Sequence, residues 1–174
     1  MPSTQSFIVR KAAVLGAGVM GAQIAAHLVN ANVETLLFEL PAKDGDPNGN
    51  ALKAIDNLRK IEPSPLSVRS KADCIRAANY EQHLQLLQEC DLVIEAISER
   101  MDWKADLYGK VAPHIAEHAI FASNTSGLSI NKLAEAFSGM LRHRFCGVHF
   151  FNPPRYMHLV ELIACSAIWG ATLP

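Results

Sequence analysis

His149 stands in one apolar stretch and Glu161 in the next. A histidine held by a carboxylate is the pair that general-base chemistry uses, the imidazole taking a proton and the carboxylate fixing its tautomer. A histidine on an apolar strand is as well explained as a satisfied core residue, so the pair alone leaves the choice open. A second segment, Asn124-Thr125-Ser126-Gly127, follows the apolar run Ala119–Ser123. It offers a hydroxyl at a strand's carboxyl end, where open α/β sheets bind ligands, and it equally has the form of an ordinary turn capping the next helix.

Gly16-Ala17-Gly18-Val19-Met20-Gly21 says more. It lies between an apolar run and a stretch with helical spacing. Gly16 permits the tight turn, Gly18 removes the side chain that would block a pyrophosphate, and Gly21 lets helix and strand approach closely. The helix start adds free N–H groups and the positive end of its dipole. Glu39 ends the second apolar run, 18 residues after Gly21. There an acidic side chain can accept hydrogen bonds from an adenosine ribose. A carboxylate at that place repels a 2′-phosphate, and Leu40-Pro41-Ala42 supplies no arginine to compensate, so NAD is expected over NADP.

These residues need a scaffold, and the remainder of the chain describes one. Apolar β-type runs alternate with helical patterns, which predicts an α/β, Rossmann-type, doubly wound and mostly parallel sheet with helices on both faces. Strands are expected over 11–16, 33–39, near 74–78, and over 91–97, 119–123, 145–151 and 159–164. Helices are expected over 19–30, 51–61, 80–89, 101–112 and 129–137. Pro41–Asn50, with its prolines, glycines and aspartates, reads as a loop. The 174 residues form a single domain, with 1–9 as an N-terminal extension and 165–174 as an atypical tail.

Composition removes several functions. Sixteen Lys+Arg against 17 Asp+Glu give a net charge of −1, and no basic block or stripe points to nucleic acid. No apolar run approaches the ~20 residues of a membrane span, and the first residues carry no signal sequence, so the cytoplasm is the expected location. Cys74, Cys90, Cys146 and Cys165 have neither metal-site nor C-x-x-C spacing, and are read as reduced, mostly buried thiols, with no metal site. The other histidines, among them His27, His83 and His143, show no partner pattern.

Taken together, Gly16–Gly21, Asp91-Leu92-Val93-Ile94-Glu95-Ala96, Phe121–Ser126 and His149-Phe150-Phe151-Asn152-Pro153 resemble, in order and spacing, the NAD-binding domain of 3-hydroxyacyl-CoA dehydrogenases. The resemblance runs from about Arg10 to Ile163. It implies His149 as catalytic base, Glu161 as its orienting carboxylate and Ser126 as a hydroxyl contacting the substrate oxygen. It also implies that Ala96, Glu99, Lys104, Asn124 and Asn152 line the cofactor site with Gly16, Gly18, Val19, Met20, Gly21 and Glu39.

By the same resemblance the cofactor is NAD and the substrate an acyl-CoA of fatty-acid β-oxidation, in a protein similar to those that place the dehydrogenase before an enoyl-CoA hydratase domain. The family continues into a helical second domain, absent here, that closes over the acyl chain, mediates dimerisation and adds an active-site asparagine. A fragment or truncated product, weakly active alone, is therefore expected, with self-association through an apolar patch at Phe150, Phe151, Tyr156, Met157 and Trp169. The alternative is a non-catalytic NAD-binding module. Lys53, Arg59, Lys60, Arg69 and Lys71 lie where the family meets the CoA phosphate, and equally suit a solvated helix face.

Overall fold

The computed structural model describes residues 7–166, so the tail beyond Ser166, including Trp169, lies outside the described residues. The chain builds one seven-stranded sheet in the order β3-β2-β1-β4-β5-β6-β7. Its strands are β1 (Lys11–Leu15), β2 (Glu34–Glu39), β3 (Ile75–Asn79), β4 (Leu92–Glu95), β5 (Ile120–Ser123), β6 (Phe145–Phe150) and β7 (Val160–Ala164). All neighbours pair in parallel except β6 and β7, which run antiparallel. The strand order reverses at β1, which has β2 on one side and β4 on the other; such a switch point opens a crevice at the carboxyl ends of the strands.

Strand residues alternate between two apolar layers, which is why the central strands read as continuous hydrophobic runs. Val14, Leu37, Ile94 and Ala122 face one layer, packed with Ile24, Ala25 and Val29 of α1 (Val19–Asn30) and Ile55 and Leu58 of α2 (Gly49–Leu58). Leu15, Phe38, Val93 and Phe121 face the other, against Tyr108 and Val111 of α3 (Met101–Val111) and Leu133 of α4 (Ile130–Ala134). In that second layer Tyr108, Phe121, Phe137 and Phe145 form an aromatic cluster with ring centroids between 4.9 and 5.9 Å apart.

Three helical expectations need correction. The expected helix over 80–89 is only a 3-10 segment, Leu84–Glu89. Asn79 Oδ1 accepts from the Glu81 and Gln82 amides as a helix cap does, but the turn is not continued: His83 leaves helical geometry at φ −125° and ψ 8°, and the bonds that follow are i→i+3, Leu86 to His83 and Cys90 to Leu87. α4 is shorter than 129–137: Ser129 caps it by accepting from the Lys132 amide, but its end tightens into i→i+3 bonds at Ala136 and Phe137. A further helix, α5 (Gly139–His143), was not expected, being one short turn opened by a glycine at φ 58°. α2 ends at Leu58 rather than Ile61. Cysteine burial is mixed, with Cys74 exposed and Cys146 half-buried.

Candidate active site

At the carboxyl end of β1 the chain turns through Gly16, whose φ of 102° suits glycine, and a Cβ there would press to 2.9 Å from Ile97 Cγ2. Gly21 is demanded by packing, since its Cβ would fall 1.8 Å from the Gly16 carbonyl oxygen. Gly18 differs. Its backbone is extended, and a Cβ there would meet nothing within 4 Å. Nothing in the protein requires a glycine at that position, so the open space above it fits a group brought in from outside. α1 begins directly behind, with no side-chain cap and no acidic residue in its first turn, leaving its N–H groups and dipole to an anion.

A cleft of about 660 Å³ opens there, walled by Gly16, Gly18, Val19, Met20, Glu39 and Ala96 on the side of the glycine turn. Trp103, Asp106 and Lys110 of α3 also line it. Glu39 sits at its floor, Oε2 accepting from the Ala17 amide at 2.7 Å and Oε1 from the Leu40 amide at 2.8 Å. Those two bonds aim the carboxylate across the cleft and leave each oxygen further acceptor capacity. The size, the glycine cradle, the helix start and the acidic acceptor together suit a dinucleotide.

Under this cleft lies a charged cluster. Glu95, the last residue of β4, is fully buried and accepts from Lys104 Nζ at 2.6 Å, Tyr108 Oη at 2.6 Å, Ser123 Oγ at 2.8 Å and the Ile97 amide at 2.7 Å. Burial next to this carboxylate pushes the Tyr108 hydroxyl far above the ordinary tyrosine range. Lys104, expected along the cofactor site, is only 1% exposed, with its ammonium held by Glu95 and 3.7 Å from Glu99 Oε2.

Glu99 passes the connection on to the loop after β5. Its Oε1 accepts from Thr125 Oγ1 at 2.7 Å, Ser126 Oγ at 3.2 Å, and the Ser126 and Gly127 amides at 2.7 and 3.0 Å. Partial burial opposes its charge, yet these donors and Lys104 outweigh it and hold the carboxyl below its ordinary range. Asn124 binds the same loop to β6, its Oδ1 accepting from the Phe150 amide at 2.9 Å.

His149 and Glu161 are register partners across β6 and β7, with Nδ1 2.8 Å from Oε2. The His149 side chain is 17% exposed and that of Glu161 48%. Asn152, just past β6, stands by α1, where its Oδ1 meets Gln23 Nε2 at 3.5 Å. The expected residues thus collect at one end of the sheet in three joined groups: the glycine cleft with Glu39, the Glu99–Ser126 loop, and the His149–Glu161 pair.

Several functional-site neighbours were not anticipated. Glu95 was quoted only as part of a motif, although an acid inside an apolar run signals a buried partner. Arg155 hydrogen-bonds the Ser64 and Leu66 carbonyls and so pins the loop between His149 and Glu161 to the chain after α2, a contact no local pattern announces. The basic residues after β2 are engaged: Arg59 with Asp73 at 2.7 Å, Lys60 with Asp56 at 2.5 Å, Lys71 with Asn32 at 2.6 Å and Arg69 with Glu62 at 3.7 Å. Of these five, Lys53 alone stands on the exposed helix face with no ion pair or hydrogen bond among the described residues.

Fold and cleft define a dinucleotide-binding domain of the oxidoreductase type. The chain belongs to the family described as 3-hydroxyacyl-CoA dehydrogenase, NAD binding domain, which it matches over residues 11–170. It is similar to a fatty acid oxidation complex trifunctional enzyme of Rickettsia felis, 45% identical over 92% of this chain and 22% of that protein. It is also similar to the mitochondrial hydroxyacyl-coenzyme A dehydrogenase of Homo sapiens, 35% identical over 92% of this chain and 52% of that one. Among solved structures it superposes on the 3-hydroxybutyryl-CoA dehydrogenase of Escherichia coli with a TM-score of 0.77, at 28% identity, covering 92% of this chain and 33% of that chain. The chain spans about a fifth of the length of the first of these relatives.

Proposed function

We propose that this chain carries the cofactor site and catalytic pair of an NAD-dependent dehydrogenase that oxidises the 3-hydroxyl of an acyl-CoA in fatty-acid β-oxidation. The observation that carries the reading is the His149–Glu161 pair, 2.8 Å apart at the same sheet end as the Gly18 cleft. Binding a dinucleotide needs no such pair. NAD, when bound, supplies the hydride acceptor. His149 donates Nδ1–H to Glu161, which leaves Nε2 as the base for the substrate hydroxyl proton, and Glu161 stabilises the imidazolium that results. Ser126 stands on a loop fixed by Glu99, to which both its amide and its hydroxyl donate; turned from Glu99, that hydroxyl is the group that meets the alcohol oxygen. In the reverse direction His149 returns the proton to the ketone oxygen.

The test is NADH-linked reduction of acetoacetyl-CoA by this chain and by longer forms that contain it. His149→Gln lowers kcat by about 10²–10⁴-fold, the usual share of general-base catalysis, with NADH affinity unchanged. Glu161→Gln costs less, because the base remains. A fully active His149→Gln protein overturns the assignment, and NADH binding without turnover in any form makes the domain a binding module.

Two further parts of the reading concern the whole protein. Of the residues expected in the apolar patch, Tyr156 and Met157 are exposed whereas Phe150 and Phe151 are half-buried, Phe150 against the core; Val160 and Leu162 on one face of β7 and Ile163 on the other add exposed apolar surface of the kind that associates. Copies of this chain self-associate through it. Among the described residues no helix is long and apolar enough to cross a membrane. With free thiols at Cys74, Cys90 and Cys146, we place the protein in the reducing cytoplasm.

A further inference from the structure

Tyr80 follows β3 and forms part of the wall of the glycine cleft, beside Glu39 and Gly16. It is 4% exposed, and its ring leans on Phe38 with centroids 5.7 Å apart. Its hydroxyl is buried and meets no hydrogen-bond partner of good geometry. The Gly16 amide that approaches it already donates to the Phe38 carbonyl at 2.9 Å. Burying a hydroxyl without a partner is unfavourable, and a phenylalanine would fill the same apolar slot without that cost. Two other buried side-chain atoms lack partners among the described residues, His27 Nδ1 and Arg144 Nε, and neither residue lines the cleft. The unpaired tyrosine therefore belongs to the lining of the cleft, which it shares with Glu39, the acceptor expected at the ribose, and Gly16, of the turn expected at the pyrophosphate.

We propose that the Tyr80 hydroxyl is a cofactor-binding donor, hydrogen-bonding an oxygen of the adenosine diphosphate half of the dinucleotide. This rests on the dinucleotide reading of the cleft and adds a residue to it. Tyr80 pays for its burial only when that half is bound, and so raises affinity without stabilising the unliganded fold. Its distance in sequence from the glycine turn and from Glu39 keeps it out of any local motif, since only the pairing of β3 beside β2 brings it there.

The experiment is Tyr80→Phe, read by NADH fluorescence titration, by calorimetric titration with ADP, and by the Tm of the unliganded protein. One neutral hydrogen bond corresponds to a roughly two- to tenfold change in Kd. The expected result is a loss of that size for NADH and the same loss for ADP, with the unliganded Tm equal to or above that of the wild type. Unchanged NADH affinity overturns the proposal. So does a loss for NADH that ADP does not share, which would put the contact on the nicotinamide half, and so does a Tm lower by several degrees, which would reveal a structural partner for the hydroxyl. Wild-type protein that binds neither ADP nor NADH defeats the dinucleotide reading itself, a result distinct from an effect or lack of effect of the substitution.

Discussion

Gly18 and Gly21 occupy one motif for different reasons, and substitutions separate them. A valine at Gly18 meets open space in the protein, with a backbone any residue adopts. Gly18→Val therefore leaves Tm within a few degrees of wild type while NADH titration shows no saturation, because its methyls occupy the pyrophosphate's approach. Gly21→Ala forces a carbon onto the Gly16 carbonyl and lowers Tm sharply, whether or not NADH is present. Residue types at fixed offsets pointed to the glycines and Glu39, whose expected chemistry is local to a turn, whereas His149 stood out only as a histidine in an apolar run and took its expected role from the resemblance. Tyr80, Glu95 and Arg155 were not announced, because each acts through a neighbour far away in sequence. The role assigned to Lys104 came with the resemblance, and its burial against Glu95 shows how a motif position can serve the site from beneath.

At the level of elements, β4 is where charge and sheet meet. Lys104→Met leaves Glu95 a buried carboxylate without its cation, a loss of about 3–5 kcal/mol in urea denaturation, far more than an exposed lysine is worth. Asp91, just ahead of β4, ties that strand to β1: its Oδ2 accepts from the Arg10 and Lys11 amides at 2.8 and 3.0 Å. These donors, with His118, hold its carboxyl below the ordinary value near 3.8. A depressed folded value means stability fully present above the ordinary value and lost as pH falls through the depressed one. The Tm gap between wild type and Asp91→Asn should accordingly be constant from pH 5 to 7 and close below about pH 4. The strands were legible because both faces are buried and their apolar runs are unbroken; the segment after β3 was not, because its helical periodicity does not show that His83 breaks the turn after Asn79 has capped it. The antiparallel sense of β7 was also hidden, as a strand's pattern carries no direction.

Across the whole molecule, the association we propose rests on the exposed apolar side chains of β7. Sedimentation velocity of the wild type should show mass rising with concentration, and Leu162→Glu, at a side of the sheet already open to solvent, should keep the chain monomeric without changing NADH affinity. The two halves of the site also stand on unequal ground. The dinucleotide cleft rests on β1, β2 and β4, buried strands in the middle of the sheet, whereas Glu161 rides on β7, an outermost strand whose every residue is exposed. Such a margin exchanges its amide hydrogens first and frays first. Rising denaturant is therefore expected to take the protein apart in a set order: the proposed proton transfer stops while the cofactor still binds. Saturating NADH should slow exchange at the centre of the sheet and leave the margin nearly untouched, so the proposed proton transfer would be preserved by a partner or copy that clamps β7 and not by the cofactor.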